Sequence, residues 1–418
     1  RRHRAWRERQ TRTLAIDAVE ISGLERIDPR IVERQVRSRS GDALDLDVLR
    51  EDLERVYRLG DFERVGFQVE VEPAREGTDP TATARTVLRI DAAEKSWGPN
   101  FVRFGLGLEA DFKGRGDFNL LADFTRTRVN TLGAEWKSRV SVGRDNTAFT
   151  EFYQPLDFGS HWFVAPLAVA ERRLVDVFED DGAVTERRIG RVEGGGDLGV
   201  QFSQYGELRA GVRRGATRVE NRSQADVPVV RSDTGAWVGS WTVDRLDNAN
   251  FPRWGSLIAA DVRFSRAFLA ADDEYDRLQA TYLEARSFGR NTIVARLRYG
   301  TGLGSEIPVY DDFSLGGMFN MSGFPRGALR GTELGFAQLM YYRQLGTLPG
   351  PLGGGLYVGL SAEAGNVWAT RDEASFSDLR PAGLVWAGVD TVFGPVTVGY
   401  GRSDSNIDSL YLALGQVF

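Results

Sequence analysis

The sequence of 418 residues contains no cysteine and only two histidines, His3 and His161. The first absence excludes disulfide frameworks, thiolate nucleophiles and Cys-ligated zinc or iron–sulfur clusters. The second disfavours a histidine metal cluster and restricts any Ser/His/Asp triad to one of two imidazoles. No stretch approaches the roughly 18 to 20 consecutive apolar residues that a membrane-crossing helix needs. A large basic face is missing too: 59 acidic residues outnumber 53 lysines and arginines, for a formal net charge of −6. Nucleic acid is therefore not an expected partner. What abounds is glycine, 48 residues, together with 11% aromatic residues. Tight turns, bends and aromatic girdles of that kind suit a transmembrane β-barrel, whose alternating faces hide the membrane band from a mean hydropathy of −0.31. The chain opens on Arg1 with neither an initiator methionine nor a signal peptide, as expected of a fragment or a mature form.

Composition and period change along the chain. Residues 1–13, RRHRAWRERQTRT, read as a basic, solvated linker. Residues 14–96 read as a small mixed domain. A first strand over Leu14 to Ile21 leads to Asp28-Pro29, an N-cap followed by proline at the first helical position, and a short helix with Ile31, Val32 and Val36. A second helix starts near Asp45, carries Leu49, Leu53 and Val56 on one face and stops at Gly60. The period then shifts from 3.6 to 2: Phe67, Val69 and Val71 alternate with Gln68, Glu70 and Glu72, and a last strand runs through Val87 to Ile90. The order is β-α-α-β-β, and with the run GDALDLDVLREDLERVYRLGDFERV it resembles a POTRA domain. A module of this kind presents a sheet edge that can accept an extended chain.

From residue 97 to 418 alternation dominates. Val102, Phe104, Leu106, Leu108 and Ala110 point one way, Arg103, Gly105, Gly107, Glu109 and Asp111 the other. The pattern recurs in Ile293, Ala295, Leu297 and Tyr299 against Thr292, Arg296 and Arg298. Candidate strands begin near 101, 118, 135, 147, 163, 187, 205, 234, 256, 276, 291, 334, 356, 382, 395 and 409. Sixteen mostly long strands, with no helical run to cover a face, predict a mainly β protein: a 16-stranded antiparallel transmembrane β-barrel after one α+β domain.

Three segments exceed alternation. LDNANFPRWG is a tight turn in which Asp247, Asn248, Pro252 and Gly255 suit reversal and block ladder extension. The connection over about 302–331, with DDFSLGGMFNMSGFPRGALRG, is too long for a bare turn and is expected to fold back into the lumen. The chain ends on YLALGQVF, an apolar strand closed by Phe418. Together with EKSWGPNFVRFGLGLEADF at the junction and LMYYRQL after the loop, these segments resemble the bacterial surface antigen superfamily of POTRA-plus-barrel outer-membrane proteins. They look most like its patatin-type, PlpD-like branch, the type Vd secretion arrangement.

The resemblance implies a loop tip whose arginine pairs with an acid on a later strand. Here the tip reads Met321-Ser322-Gly323-Phe324, without that arginine, and the strand motif carries Glu363 and Gly365. Arg326 or Arg330 is the expected substitute cation. The resemblance also implies a lateral seam between the first strand, with Phe101 and Phe104, and the last, with Gly415 and Phe418. Phe418 would be read by the barrel assembly machinery. Its further implied partners are outer-membrane lipid, an upstream lipolytic passenger domain in cis and periplasmic chaperones.

The chain lacks a Gly-x-Ser-x-Gly nucleophile elbow leading into a helix, so no enzyme activity, cofactor or metal is expected of it. Asp272-Asp273-Glu274 reads as a solvated turn. The function expected is translocation or display of the upstream passenger, with the POTRA domain in the periplasm. A BamA/TamA-like insertase is the alternative.

Overall fold

A computed structural model describes residues 14–25, 27–58, 62–72, 85–95, 100–110, 116–130, 132–157, 161–178, 184–202, 205–223, 226–348, 354–391, 394–404 and 407–415. The linker 1–13, Gly60 and Phe418 lie outside the described residues.

The N-terminal unit contains β1 (Ala18–Ser22), α1 (Pro29–Glu33), α2 (Leu46–Arg58), β2 (Phe62–Glu72) and β3 (Arg85–Glu94). The expected β-α-α-β-β order is present. Asp28 caps α1 by accepting from Arg30 N at 3.0 Å, with Pro29 where no N–H is needed. Asp45 caps α2 by accepting from Asp47 N at 2.8 Å. Val36 falls just beyond α1 but still packs in the core with Val32, Leu49, Val56, Phe62, Leu88 and Ile90. Inside that core Asp52, fully buried, accepts from Ser38 N at 3.0 Å and Ser38 Oγ at 2.8 Å. The sheet order is β1-β3-β2, β1 parallel and β2 antiparallel to β3. β2 is thus an edge; Val65 and Val69 pack against the helices, while Phe67 and Val71 stay exposed.

The second unit is a closed barrel of sixteen strands. They are β4 (Asn100–Ala110), β5 (Gly116–Arg126), β6 (Glu135–Gly143), β7 (Asp145–Pro155), β8 (Trp162–Phe178), β9 (Val184–Phe202), β10 (Gly206–Asn221), β11 (Val230–Asp244), β12 (Trp254–Ser265), β13 (Asp276–Phe288), β14 (Asn291–Thr301), β17 (Glu333–Thr347), β18 (Gly355–Trp368), β19 (Arg380–Val389), β20 (Val396–Ser403) and β21 (Asp408–Leu414). A small hairpin, β15 (Phe313–Leu315) with β16 (Leu329–Gly331), interrupts the meander. Every strand starts within four residues of its sequence expectation. Closure satisfies each edge, which is why so much strand is tolerated without a covering layer.

The lumen face is divided. Along β7, β9, β10 and β12 it is charged: Arg209 meets Glu151 at 2.6 Å, Arg213 meets Asp197 at 2.6 Å and Arg263 pairs with Glu193. Along β13, β14 and β17–β19 it carries a buried cluster that includes Met340, Tyr342, Tyr357, Leu384 and Trp386. Opposite-parity residues such as Phe104, Leu360 and Val385 face outward and are exposed.

Candidate functional site: the inward loop and the seam

Residues 302–332 join β14 to β17 and enter the barrel. Asp311, at the base of this loop, accepts from Arg191 at 2.5 Å and from Tyr275, with Arg263 at 3.5 Å. Arg277 Nε donates to Asp311 O at 2.9 Å, and Tyr310 OH donates to Asp273 at 2.7 Å. At the turn Asp272-Asp273-Glu274, Asp272 and Glu274 are exposed, as expected of a solvated turn, and the three carboxylates also hold neighbouring donors. Asp272 accepts from Asp233 N at 2.7 Å, Asp273 also accepts from Ser232 at 2.5 Å, and Glu274 accepts from Ala267 N at 2.7 Å. Each carboxylate satisfies a donor that the turn would otherwise leave unpaired.

Above the hairpin the chain folds on itself: Gly316 N donates to Asn320 O at 2.7 Å and Gly317 N to Phe324 O at 2.9 Å. Gly316, Gly317 and Gly323 have φ of +129°, +101° and +98°, where a Cβ is disfavoured. Phe319 and Met321, which are not glycine, also sit at φ +60° and +75°. Both are fully buried.

Four donors converge on Glu363, itself buried on β18. Ser322 N–H donates to Oε2 at 2.6 Å. Ser322 Oγ, Ser361 Oγ and Gln338 Nε2 donate to Oε1 at 3.0, 3.0 and 3.2 Å. The expected pairing of Glu363 with Arg326 or Arg330 is not found. Arg326 reaches Asp145 at 2.9 Å and Asp117 at 3.6 Å, and Arg330 pairs with Asp312 beside the hairpin. A backbone N–H, two hydroxyls and a side-chain amide thus satisfy the buried carboxylate.

The last barrel strand completes the dock. Gly323 N donates to Tyr411 OH at 2.9 Å, Tyr411 OH donates to Phe324 O at 3.4 Å, and Ser409 Oγ donates to Gly323 O at 3.2 Å. Gly401 makes room on β20: a Cβ there would lie 2.8 Å from Ser322 Cβ and 2.9 Å from Gly323 N. Phe324 is covered by the Arg380 guanidinium, 4.5 Å from its ring centre. Gly365 admits Leu315 of the hairpin, which would stand 3.2 Å from an added Cβ.

The LDNANFPRWG turn supports the tip from below. Asp247 accepts from Arg253 N at 2.8 Å and Trp254 N at 3.0 Å, and Asn248 from Asn250 N at 2.7 Å and Phe251 N at 3.1 Å. Pro252 O accepts from Tyr342 OH. Gly255 has φ +108°, and a Cβ there would meet Arg245 O. The turn thereby projects Phe251 into the barrel, stacked 4.3 Å from Tyr357 and 6.0 Å from Trp386. Phe319 packs edge-on to the same Trp386 at 5.5 Å.

At the seam β21 meets β4 through three register pairs among the described residues: Leu412 with Ala110, Ala413 with Glu109 and Leu414 with Leu108. Gly415 follows at φ +94°, and a Cβ there would lie 2.7 Å from Leu106 O. Phe101 stands at the start of β4 and Phe104 projects outward, 84% exposed. A cavity of about 520 Å³ lies beside the seam, lined by Glu109 and Asp117 on one side, Arg296 and Arg298 on the other, and Met318 of the loop.

The Omp85 superfamily domain matches residues 104–401. The chain belongs to the Omp85 superfamily. It is accordingly an outer-membrane β-barrel, and residues 14–92 match the POTRA family described as a surface antigen variable number repeat. Among solved structures this Omp85 chain is similar to BamA from Haemophilus ducreyi lacking POTRA domains 1–3, at 15% identity over 96% of this chain and 84% of that one, with a TM-score of 0.72. It is also similar to CdiB from Acinetobacter baumannii, at 13% identity over 96% and 74%, TM-score 0.59. For CdiB from Escherichia coli the values are 13%, 96%, 76% and 0.57. At such identities the likeness is one of fold.

Sequence reasoning missed Tyr411, Gln338, Phe251 and Trp386. A signal existed for some of them. Gly399 and Gly401 alternate with Val398 and Tyr400, and small residues on every second position mark a wall that something approaches closely. Tyr411 shares the parity of Ser409 rather than of Leu410 and Leu412, so it belongs to the lumen face.

Proposed function

We propose that this chain is the outer-membrane translocator of a patatin-like type Vd autotransporter, moving or displaying an upstream lipolytic passenger. With the POTRA domain in the periplasm, β4 and every second barrel strand after it, β8 and β14 among them, run outward, and the long loop descends into the lumen from the outer surface. The exposed edge of β2, with Phe67 and Val71 uncovered, is available to hold an emerging extended chain by strand addition. The observation that carries the reading is the tip's bonding to both Glu363 and the last strand. The lumen plug and the seam thereby become one mechanical unit, and displacing the tip from the lumen loosens β21 where it meets β4. The path for the passenger is this seam or the vacated lumen, and passenger folding outside supplies the driving force. Periplasmic chaperones and the barrel assembly machinery serve passenger and barrel respectively, and no catalytic step is assigned to residues 1–418.

The test is a folded reporter fused upstream of Arg1, expressed in cells with an outer membrane and treated with external protease. Loss of the reporter from intact cells, with the barrel still heat-modifiable on a gel, supports the translocator. A protected reporter above a folded barrel refutes it and favours an insertase, the reading that the fold likeness to BamA also accommodates.

A further inference from the structure

The outer wall of β8–β11 carries a row of arginines at one level. Lumen parity on these strands is marked by buried Phe163 on β8, by the Arg213–Asp197 pair between β10 and β9, and by buried Ser232 on β11. Residues of the other parity face away from the lumen. In the register, Arg172 pairs with Gly190, Gly190 with Arg218, and Arg218 with Arg231. Arg172, Arg218 and Arg231 therefore share one outward row, and all three are exposed. Arg214 lies four residues before Arg218 on the same face, and Arg188 adjoins the row.

A second row gives the scale. Trp162 pairs with Val200, Val200 with Leu208, and Leu208 with Trp241, so two exposed tryptophans share a level. Tryptophans at one level are the mark of a membrane interface. Ten residues of β8 separate Trp162 from Arg172, a climb of about 26 Å for a strand rising ~3.4 Å per residue at a tilt of about 40°. The apolar band of an outer-membrane barrel is about 25 Å tall, so the arginines stand at its opposite boundary. Val164, Val192 and Leu198 occupy outward positions between the rows. Arg214 lies within the band, and its long side chain can extend toward the boundary.

The charges of this patch are not balanced by the protein. Asp176 and Glu186, of the same parity two register steps beyond the row, are taken by Arg144 at 2.8 Å and Arg222 at 2.7 Å, which leaves the five arginines of the patch with Glu220 and Asp233. Glu220 takes Arg188 at 3.3 Å and Arg218 at 2.5 Å, whereas Arg172, Arg214 and Arg231 carry no ion pair among the described residues. Guanidinium groups at the edge of hydrocarbon are stabilised by anions with paired oxygens, and a phosphate monoester fits the guanidinium fork. We propose that this row is a binding site for the phosphorylated headgroup of an outer-leaflet glycolipid, whose acyl chains lie along the apolar band below. The proposal rests on the outer-membrane orientation given above, which puts the arginine row, rather than the tryptophan row, at the outer leaflet.

The test uses the full chain in nanodiscs of zwitterionic phospholipid doped with bisphosphorylated lipid A or with the same glycolipid stripped of phosphate. Glycolipid retained on the barrel is then measured by native mass spectrometry. Wild type is expected to retain the phosphorylated form, and R172Q/R218Q/R231Q to lose about tenfold of that retention, since each exposed pair contributes modestly and three act together. R126Q, at an exposed arginine on β5, is expected to behave as wild type. Equal retention of the two glycolipids, or undiminished retention by the triple variant, overturns the proposal while a heat-modifiable, inserted barrel leaves the membrane reading intact. A chain that inserts into no disc overturns both. Wild-type dimers abolished by the triple variant, without lipid preference, would make the row a contact between copies and reject the lipid site.

Discussion

Replacing Glu363 by alanine removes the acceptor on which the loop tip rests, and its cost can be worked from the donors left behind. Gln338 Nε2 retains Phe319 O at 3.2 Å and Ser361 Oγ at 3.0 Å, so Gln338 keeps its acceptors, and Ser361, whose hydroxyl loses its own acceptor, belongs to the wall whether or not the tip is docked. Ser322 is different. Its N–H has Glu363 as its acceptor, and its hydroxyl is left only as the acceptor of Phe319 N. A hydrogen bond to a charged group is worth about 1.5 to 3 kcal/mol and a hydroxyl bond about 1 kcal/mol, so the docked tip should lose about 2.5 to 4 kcal/mol. That is a shift of about a hundredfold to a thousandfold in the docking equilibrium. The absence of cysteine makes the assay clean: Met321→Cys, at a fully buried position, offers a single thiol for maleimide. Its labelling rate in the folded barrel reports tip release. Glu363→Ala should raise that rate by the factor given. A rate within about threefold of the parent, in a barrel that remains heat-modifiable, would refute the assignment of Glu363 as the anchor, because a lost equilibrium of about 2.5 kcal/mol cannot hide in so small a change.

Other outcomes follow from the same contacts. Tyr411→Phe removes one acceptor and one donor at Gly323 and Phe324 and should cost about 1 to 2 kcal/mol of docking, raising Met321→Cys labelling about tenfold. Gly401→Val would place a branched side chain where a Cβ already stands 2.8 Å from Ser322 Cβ and 3.0 Å from the Tyr411 ring; overpacking of about 1 to 3 kcal/mol should expel the tip and protect nothing else, as read by protease cleavage within the loop. Asp52→Ala leaves Ser38 N buried without its acceptor and should lower hydrogen-exchange protection of α2 by about 2 to 3 kcal/mol, leaving barrel amides unchanged.

The barrel was legible because alternation is a local signal repeated sixteen times, and closure adds no residue type of its own. The starts of β13 and β14 at Asp276 and Asn291 coincide with their expected positions. The same holds for the caps at Asp28 and Asp45, where chemistry and position lie within three residues of each other. Long-range partners were not legible in that way. Arg326 is a few residues from the tip, yet it binds Asp145 on the far wall, 181 positions away in sequence, because the hairpin turns it away from β18. Tyr411 and Gly323 are 88 positions apart, and no period relates them. Phe251 could be read as part of a turn but not as a ring inserted beneath Phe319, since both reach Trp386 only once the wall has closed. The Asp272–Glu274 turn is solvated as read, but the backbone N–H groups of Asp233 and Ala267 that its carboxylates also hold left no mark in the sequence.

Phe319 and Met321 hold left-handed backbone conformations that cost side-chain-bearing residues about 1 to 2 kcal/mol each. The docked shape of the tip is thus not one the free segment would choose, and the walls of the barrel impose it. Once a contact breaks, relaxation of these two residues favours further departure, so release should proceed as a single snap rather than by graded loosening. Return is slower for the same reason, since the segment must find an unfavourable backbone before Ser322 and Gly323 can engage. A plug built this way behaves as a ratchet in time: quick to leave, slow to reseat, and open for an interval set by its own backbone rather than by whatever displaced it.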